Sequence, residues 1–261
     1  MSWRNYQPYG KEFYDPMWYG FLHNLKLWAN EFDKLYILDS QWNFTQEDAR
    51  QLSLVKDNFE FVITDPADRY YDAYKNFLPQ VKEDLVLFLD NDMVIYKSGV
   101  VDSIFIVHET DKEHKINGVV SIYDTIGDFK TDKMKGKNKF CPYLFSAPRD
   151  LLMKYLDIDW GPDMPYCETF GHLTEKMLED GVRPFEWEED KTDFPTKDFG
   201  WYHIRAGSTP AWLLAEKHYG NPESYWSYLK NQPKSEYLRQ AEWYKRLGGD
   251  PSEIIEDSKN L

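Results

Sequence analysis

Leu85-Val86-Leu87-Phe88-Leu89 runs straight into Asp90-Asn91-Asp92-Met93-Val94. Five consecutive apolar residues fit a strand buried on both faces, as strands of a parallel sheet are. Asp90 and Asp92 would share a face if strand geometry persisted. The reading favoured here puts them where the strand opens into a loop, at the carboxyl edge of a sheet. Open α/β folds bind ligands at that edge. Two close carboxylates repel each other and stay ionised best around a cation. Hard oxygen ligands suit Mg²⁺ or Mn²⁺, which usually arrive with substrate phosphates. The stretch therefore reads as a metal–diphosphate site. Taken alone, an Asp-x-Asp also fits solvated residues closing a core strand, because Asp is common at strand ends.

The segments around this run alternate between strand and helix patterns. Asp15-Pro16 predicts a helix start, and Phe21, Leu22, Leu25, Trp28, Ala29 and Phe32 continue it at helical spacing. Leu35 to Leu38 reads as a strand ending at Asp39. Thr45 opens a second helix, with Glu47 and Asp48 near the positive end of its dipole. Phe59 to Thr64 is a strand, Asp65-Pro66 a turn, and Ala67 to Leu78 a helix. Val100 to Phe105 reads as a short helix, Gly118 to Tyr123 as a strand, and Phe140 to Phe145 as another before a helix from Arg149 to Leu156. Glu168 to Asp180 predicts a helix stopped by Gly181. Arg183 to Glu186 and Trp201 to Ile204 read as late strands, and beyond Thr209 the chain turns helical, its last helix capped by Gly248. This alternation predicts an α/β fold with right-handed crossovers.

Composition narrows the partners. The 261 residues suit one large α/β domain or two small ones, and 42% hydrophobic content supports a core. Ten Trp and nineteen Tyr carry polar atoms that want partners, so some are expected to line a groove and stack on rings of a base or sugar. A net charge of −14 gives no global basic footprint for a nucleic-acid backbone. Lys130, Lys133, Lys135, Lys137 and Lys139 could form a local patch, but with Gly127 and Gly136 beside them they read better as a loop. Cys141 and Cys167 show neither metal spacing nor the density of a disulfide framework. With no signal-peptide pattern and no transmembrane segment, a cytoplasmic location is expected.

In order, these landmarks resemble the GT-A glycosyltransferases, most closely the broad family 2 type. Leu87-Phe88-Leu89-Asp90-Asn91-Asp92 looks like their Asp-x-Asp. Pro165-Tyr166-Cys167-Glu168 and the residues through Met177 are similar to the segment where their catalytic acidic residue begins a helix. Tyr202-His203-Ile204-Arg205 resembles their late strand with a metal-binding His. The likeness covers roughly residues 17 to 210. It implies a Rossmann-like, mixed but mostly parallel sheet flanked by helices, with a nucleotide-sugar half up to about residue 100 and an acceptor half from 101 to 210. Residues 211 to 261 would form a C-terminal helical appendage.

The resemblance further implies that Asp92 and His203 hold Mn²⁺ or Mg²⁺, and that Asp90 binds the metal through water or the ribose. Asp39 would read the nucleotide base with help from Asp65, while Arg69 and Lys75 would contact the diphosphate or base. Glu168 takes the place of the general base. Elementary chemistry supports the same roles, since a departing nucleoside diphosphate gains negative charge that a divalent ion and Arg205 can stabilise. A carboxylate at a helix N-terminus stays ionised and can accept a proton from an acceptor hydroxyl. The donor is then a nucleoside-diphosphate sugar, and the acceptor a saccharide, small glycoside or protein hydroxyl, with a DNA base as an alternative. Inversion is the expected stereochemistry and retention the alternative.

The family's opening hydrophobic strand has no clear counterpart, because Ser2 to Tyr9 is a poor central strand. Either that strand is short, or sequence upstream of Met1 supplies it, or the sheet is arranged differently. Two rival classes stay on the table. Asp90-Asn91-Asp92-Met93-Val94 fits the motif of haloacid dehalogenase-like phosphatases, but that motif belongs on a first strand and two strand–helix units precede it here. A non-catalytic sugar-binding module would explain the aromatic residues but not the ordered carboxylates and His.

Overall fold

The computed structural model describes residues 2–3, 10–39, 44–65, 68, 70–90, 93–110, 119–124, 139–161, 170–182, 184–187, 200–203 and 208–261. For residues 2–3, 70, 110, 119–124, 139–143, 184–187 and 202–203, the backbone alone is described. The chain begins with strand β1 (Ser2–Trp3), helix α1 (Lys11–Trp28), β2 (Leu35–Asp39), α2 (Gln46–Ser53) and β3 (Phe59–Ile63). Helix α3 (Tyr70–Phe77) runs into a single 3-10 turn at Leu78–Gln80. Then come β4 (Leu85–Leu89), β5 (Met93–Ile95), α4 (Val100–Thr110), β6 (Val119–Asp124) and β7 (Lys139–Pro148). Helices α5 (Arg149–Met153) and α6 (Gly171–Glu179) precede β8 (Pro184–Trp187) and β9 (Trp201–His203). The chain closes with α7 (Thr209–His218), α8 (Pro222–Asn231), α9 (Lys234–Arg246) and α10 (Ser252–Asp257).

The fold is α/β with a mixed arrangement of strands flanked by helices and a helical C-terminal part. β1, β2 and β3 form a parallel sheet in that order. A second sheet has the order β4-β7-β6-β8, in which β7 runs antiparallel to β4 and β6, and β8 runs parallel to β6. β5 and β9 form a separate antiparallel pair.

Two apolar clusters hold these layers together. The larger joins α1 to β2, β5 and α4, and takes in Leu213, Tyr225, Tyr237 and Tyr244 from the C-terminal helices. The smaller packs Leu38 and the α3 residues Tyr74 and Phe77 against Phe88, Phe145, Trp160 and Phe170. Of the apolar run expected to be buried on both faces, Phe88 and Leu89 are buried, while Leu85, Val86 and Leu87 are half-buried.

Local signals explain several boundaries. Thr45 caps α2, accepting from the Asp48 N–H at 3.2 Å while the Asp48 carboxylate accepts from the Thr45 N–H at 2.8 Å. Lys11 reaches the same carboxylate at 2.8 Å. Burial alone would raise the Asp48 pKa, but the bonds from Lys11 and Thr45 outweigh it and leave the group below its usual value.

Helix α1 departs from expectation. It starts at Lys11 rather than at Asp15-Pro16, and Pro16 lies inside it. Tyr14 is fully buried, so the extra turn has a packing reason. Gly10 precedes the helix with φ +75, where a Cβ would sit 2.7 Å from the Ala215 Cβ on α7. α6 also starts later than expected, at Gly171, and ends before Gly181 at φ +82. The lysines from 130 to 137 and Cys167 lie outside the described residues.

Candidate functional site

β4 ends where the sequence places the first carboxylate. Asp90 directly follows Leu89, is half-buried, and its carbonyl accepts from the Met93 N–H at 3.2 Å. The Tyr74 hydroxyl donates to the Leu89 carbonyl at 2.9 Å, so α3 pins the last residue of the strand. Sequence reading passed over Tyr74, because an aromatic residue at helical spacing reads as core. Asp92 lies outside the described residues.

The short pair of β5 and β9 links the two distant parts of the predicted metal set. Met93 pairs with His203, Val94 with Tyr202 and Ile95 with Trp201. Opposed residues in such a ladder have Cα atoms about 4.5–5.5 Å apart. His203 therefore stands across from the residue that follows Asp92 in the chain. The Gly200 carbonyl extends the pairing by accepting from the Tyr96 and Lys97 N–H groups at 2.8 and 3.3 Å. Gly200 has φ +83, and a Cβ there would meet Val100 Cγ2 at 2.7 Å, so the entry to β9 requires glycine. Arg205 lies outside the described residues.

The other predicted donor contacts divide. Asp39 ends β2, is 8% exposed, and accepts from the Phe44 N–H through Oδ2 at 3.1 Å. Its carbonyl accepts from the Thr64 N–H at 2.9 Å, which ties the ends of β2 and β3 together. Asp65, two residues beyond β3, is exposed, and its carbonyl accepts from the Asp68 N–H at 2.9 Å. Ile63, which sequence reading did not single out, is 88% exposed at the same strand end. Lys75 is engaged elsewhere: its Nζ donates to the Ile158 carbonyl at 2.5 Å, so a phosphate contact would have to break that bond. Arg69 lies outside the described residues.

Glu168 also lies outside them, and the helix expected to begin with it starts at Gly171. The residue between them that is described, Phe170, has φ +65, the one positive φ at a non-glycine residue among the described residues. Such a conformation costs on the order of 1–3 kcal/mol and persists only where packing over-determines it. Here the ring is completely buried, with centroids 5.8 Å from Phe88, 5.3 Å from Phe145 and 5.6 Å from Trp160. The start of α6 is thereby clamped to β4, the strand that ends at Asp90.

Among the described residues no three His, Cys, Asp or Glu side chains converge on a point that could hold a metal ion. The Asp92 residue and the His203 side chain are outside that set. No helix among the described residues is long and apolar enough to cross a membrane.

No protein-family model matches the chain, and no curated protein sequence matches it. Among solved structures, the chain is similar to the bifunctional IspDF of Campylobacter jejuni at 17% identity and a TM-score of 0.40, over 68% of this chain and 42% of that one. It thus spans less than half the length of that enzyme. It is also similar to CMP:2-keto-3-deoxy-manno-octonic acid synthetase complexed with CTP, at 12% identity and a TM-score of 0.43, covering 77% of this chain and 88% of that one. A nucleotidyl transferase from Methanothermobacter gives 16% identity and a TM-score of 0.40 over 78% and 79% of the two chains. At that distance no residue of theirs is carried over to this chain.

Proposed function

We propose that this chain is a metal-dependent GT-A glycosyltransferase that moves a sugar from a nucleoside-diphosphate donor to an acceptor hydroxyl. The observation that carries the reading is the β5–β9 register, in which His203 opposes Met93 beside the Asp90-Asn91-Asp92 motif. Asp90, Asp92 and His203 would hold Mn²⁺ or Mg²⁺. The bound ion would supply positive charge for the departing diphosphate. Arg205 would add a cation for the same phosphates, and Asp39 would face the nucleoside at the end of β2.

The acceptor oxygen would attack the anomeric carbon as its bond to the diphosphate oxygen breaks. The bonding pair leaves with the diphosphate, and the acceptor proton passes to Glu168. With Glu168 as the base and no covalent intermediate, this single displacement would invert the configuration at that carbon. The clamp on Phe170 supports this role, because it fixes the main chain two residues from Glu168 against β4.

Titration calorimetry with nucleoside diphosphates tests the reading. Affinity is expected to depend on Mn²⁺ and to be lost in Asp92→Ala without a change in melting temperature. Equal affinity with and without chelator would remove the metal assignment. Mass spectrometry of products from a panel of sugar nucleotides and acceptors then identifies the reaction. Phosphate release without sugar transfer would favour the phosphatase, and nucleotidyl transfer from CTP would replace the proposal. Transfer to DNA alone would replace the preferred saccharide, glycoside or protein acceptor.

A further inference from the structure

β3 lies at the edge of the parallel sheet, because among the described residues it pairs with β2 alone. Two bonds fix which way its peptide groups turn. The Leu35 N–H donates to the Asn58 carbonyl at 3.0 Å, and the Thr64 N–H donates to the Asp39 carbonyl at 2.9 Å. In a strand the N–H and C=O of one residue point to the same side, and those of the next residue to the other. Even-numbered residues from 58 to 64 therefore face β2. Phe59, Phe61 and Ile63 turn their N–H and C=O groups to the outer edge.

Edges of this kind are blunted in most sheets by Pro, a bulge or charged side chains. β3 reads Phe59-Glu60-Phe61-Val62-Ile63, without Pro, and its register with β2 runs unbroken, without a bulge. Its one charge, on Glu60, is already matched by Lys34 at 2.8 Å. β8, at one edge of the second sheet, opens instead with Pro184. The side chains of Phe59, Phe61 and Ile63 share one face of the strand. Phe61 stacks on Phe44 with centroids 4.5 Å apart, whereas Ile63 is 88% exposed.

We infer that β3 is an association edge, and that its partner is the β3 of a second copy of this chain running antiparallel to it. Antiparallel strands bond through residues whose peptide groups face each other, so Phe59, Phe61 and Ile63 of the two copies must be opposed. A two-fold axis at Phe61 uses every outward group: Phe61 meets Phe61 of the second copy, and Phe59 meets its Ile63. Glu60 then lies opposite Val62. Sliding the copies by two residues loses one bonded pair, and in one direction sets Glu60 against Glu60, which repel. The two-fold register also covers the exposed Ile63 with Phe59, extending the apolar face that Phe59 and Phe61 pack against the α1 cluster. A five-residue strand pair is small beside the roughly 800 Å² per partner of a standard interface, and a net charge of −14 on each copy opposes contact. The association is therefore weak, and salt strengthens it by screening the repulsion. The inference does not depend on the reaction proposed above.

Sedimentation equilibrium of the full chain tests it. The average mass is expected to climb toward that of a dimer between roughly 5 and 500 μM, and to climb further in about 0.5 M NaCl. Hydrogen exchange at the Phe59, Phe61 and Ile63 amides should slow about threefold or more over the same range, while the Glu60 and Val62 amides, which face β2, stay unchanged. Ile63→Lys, at an exposed position, should abolish both effects at an unchanged melting temperature, and Ile63→Val should keep them. A monomer throughout, or a dimer that Ile63→Lys leaves intact, would overturn the inference. So would protection of the three outward amides in dilute protein, which would mean that the chain covers its own edge.

Discussion

His108 shows how one buried side chain couples stability to pH. It sits on α4 with Nε2 2.9 Å from the Ser146 Oγ, and its Nδ1 is buried without a hydrogen-bond partner among the described residues. Burial pushes its pKa from 6.5 down to about 4. The unfolded chain therefore binds the imidazole proton first as pH falls below 6.5. The native state resists it until about 4, so this contribution to stability is complete above 6.5 and is lost across that window. In urea titrations at pH 7.5, 6, 5 and 4, wild type should lose more stability than His108→Leu. Parallel curves for the two proteins would remove His108 as the cause. Glu168 makes a second prediction at this scale. Glu168→Gln keeps size and hydrogen bonding but removes proton acceptance, so transfer should fall roughly a hundredfold or more while donor affinity stays similar. Near-normal turnover in that variant would take Glu168 out of catalysis.

At the scale of elements, α4 depends on a residue far away in sequence. The Glu31 carboxylate, just past α1, accepts from the N–H groups of Gly99, Val101 and Asp102 at 2.5, 2.9 and 3.1 Å. Those donors open the helix and have no intrahelical partner, and the anion also meets the positive end of the dipole. Glu31→Ala should cost about 1–2 kcal/mol in urea denaturation, with Glu31→Gln intermediate. An unchanged midpoint in the Ala variant would show that water replaces the cap.

This bond also marks the limit of what the sequence discloses. The Thr45 cap, the glycine stops at Gly181 and Gly248 and the apolar β4 run all depend on residues a few positions apart, and all were legible. Asp15-Pro16 gave an equally local signal and misplaced the start of α1, because Tyr14 and the Gly10–Ala215 approach decide that boundary through contacts about two hundred positions away. The strand at Trp201 to His203 was readable, but its register against Met93 to Ile95 was not, and that register carries the candidate site. Helix α10 was missed because it is only six residues long.

Over the whole molecule, the C-terminal helices complete the core around α1. Ala211, Leu213, Leu214 and Ala215 of α7 belong to the same buried cluster as Tyr14, Met17 and Phe21 of α1. Gly20 admits Leu247 so closely that a Cβ would lie 2.7 Å from its Cδ2, and the Tyr244 hydroxyl donates to the Phe13 carbonyl at 2.5 Å. At the far end, Asp257 accepts from Lys217 Nζ and the Tyr225 hydroxyl, each at 2.6 Å, which fastens α10 to α7 and α8. A chain ending at residue 208 would lose all these partners and expose the inner face of α1. Burial of each large apolar side chain contributes about 1.5–3 kcal/mol, and a whole domain is stable by only about 5–15 kcal/mol. Removing the α7 residues, Tyr225, Tyr237, Tyr244 and Ile254 from the core therefore exceeds the stability available. The truncated chain should show no cooperative thermal transition and should bind a hydrophobic dye, while the full chain melts in one step with equal calorimetric and van't Hoff enthalpies. A cooperative transition and native near-UV dichroism in the truncated chain would instead make residues 1–208 an independent folding unit, with the helices as a dispensable attachment.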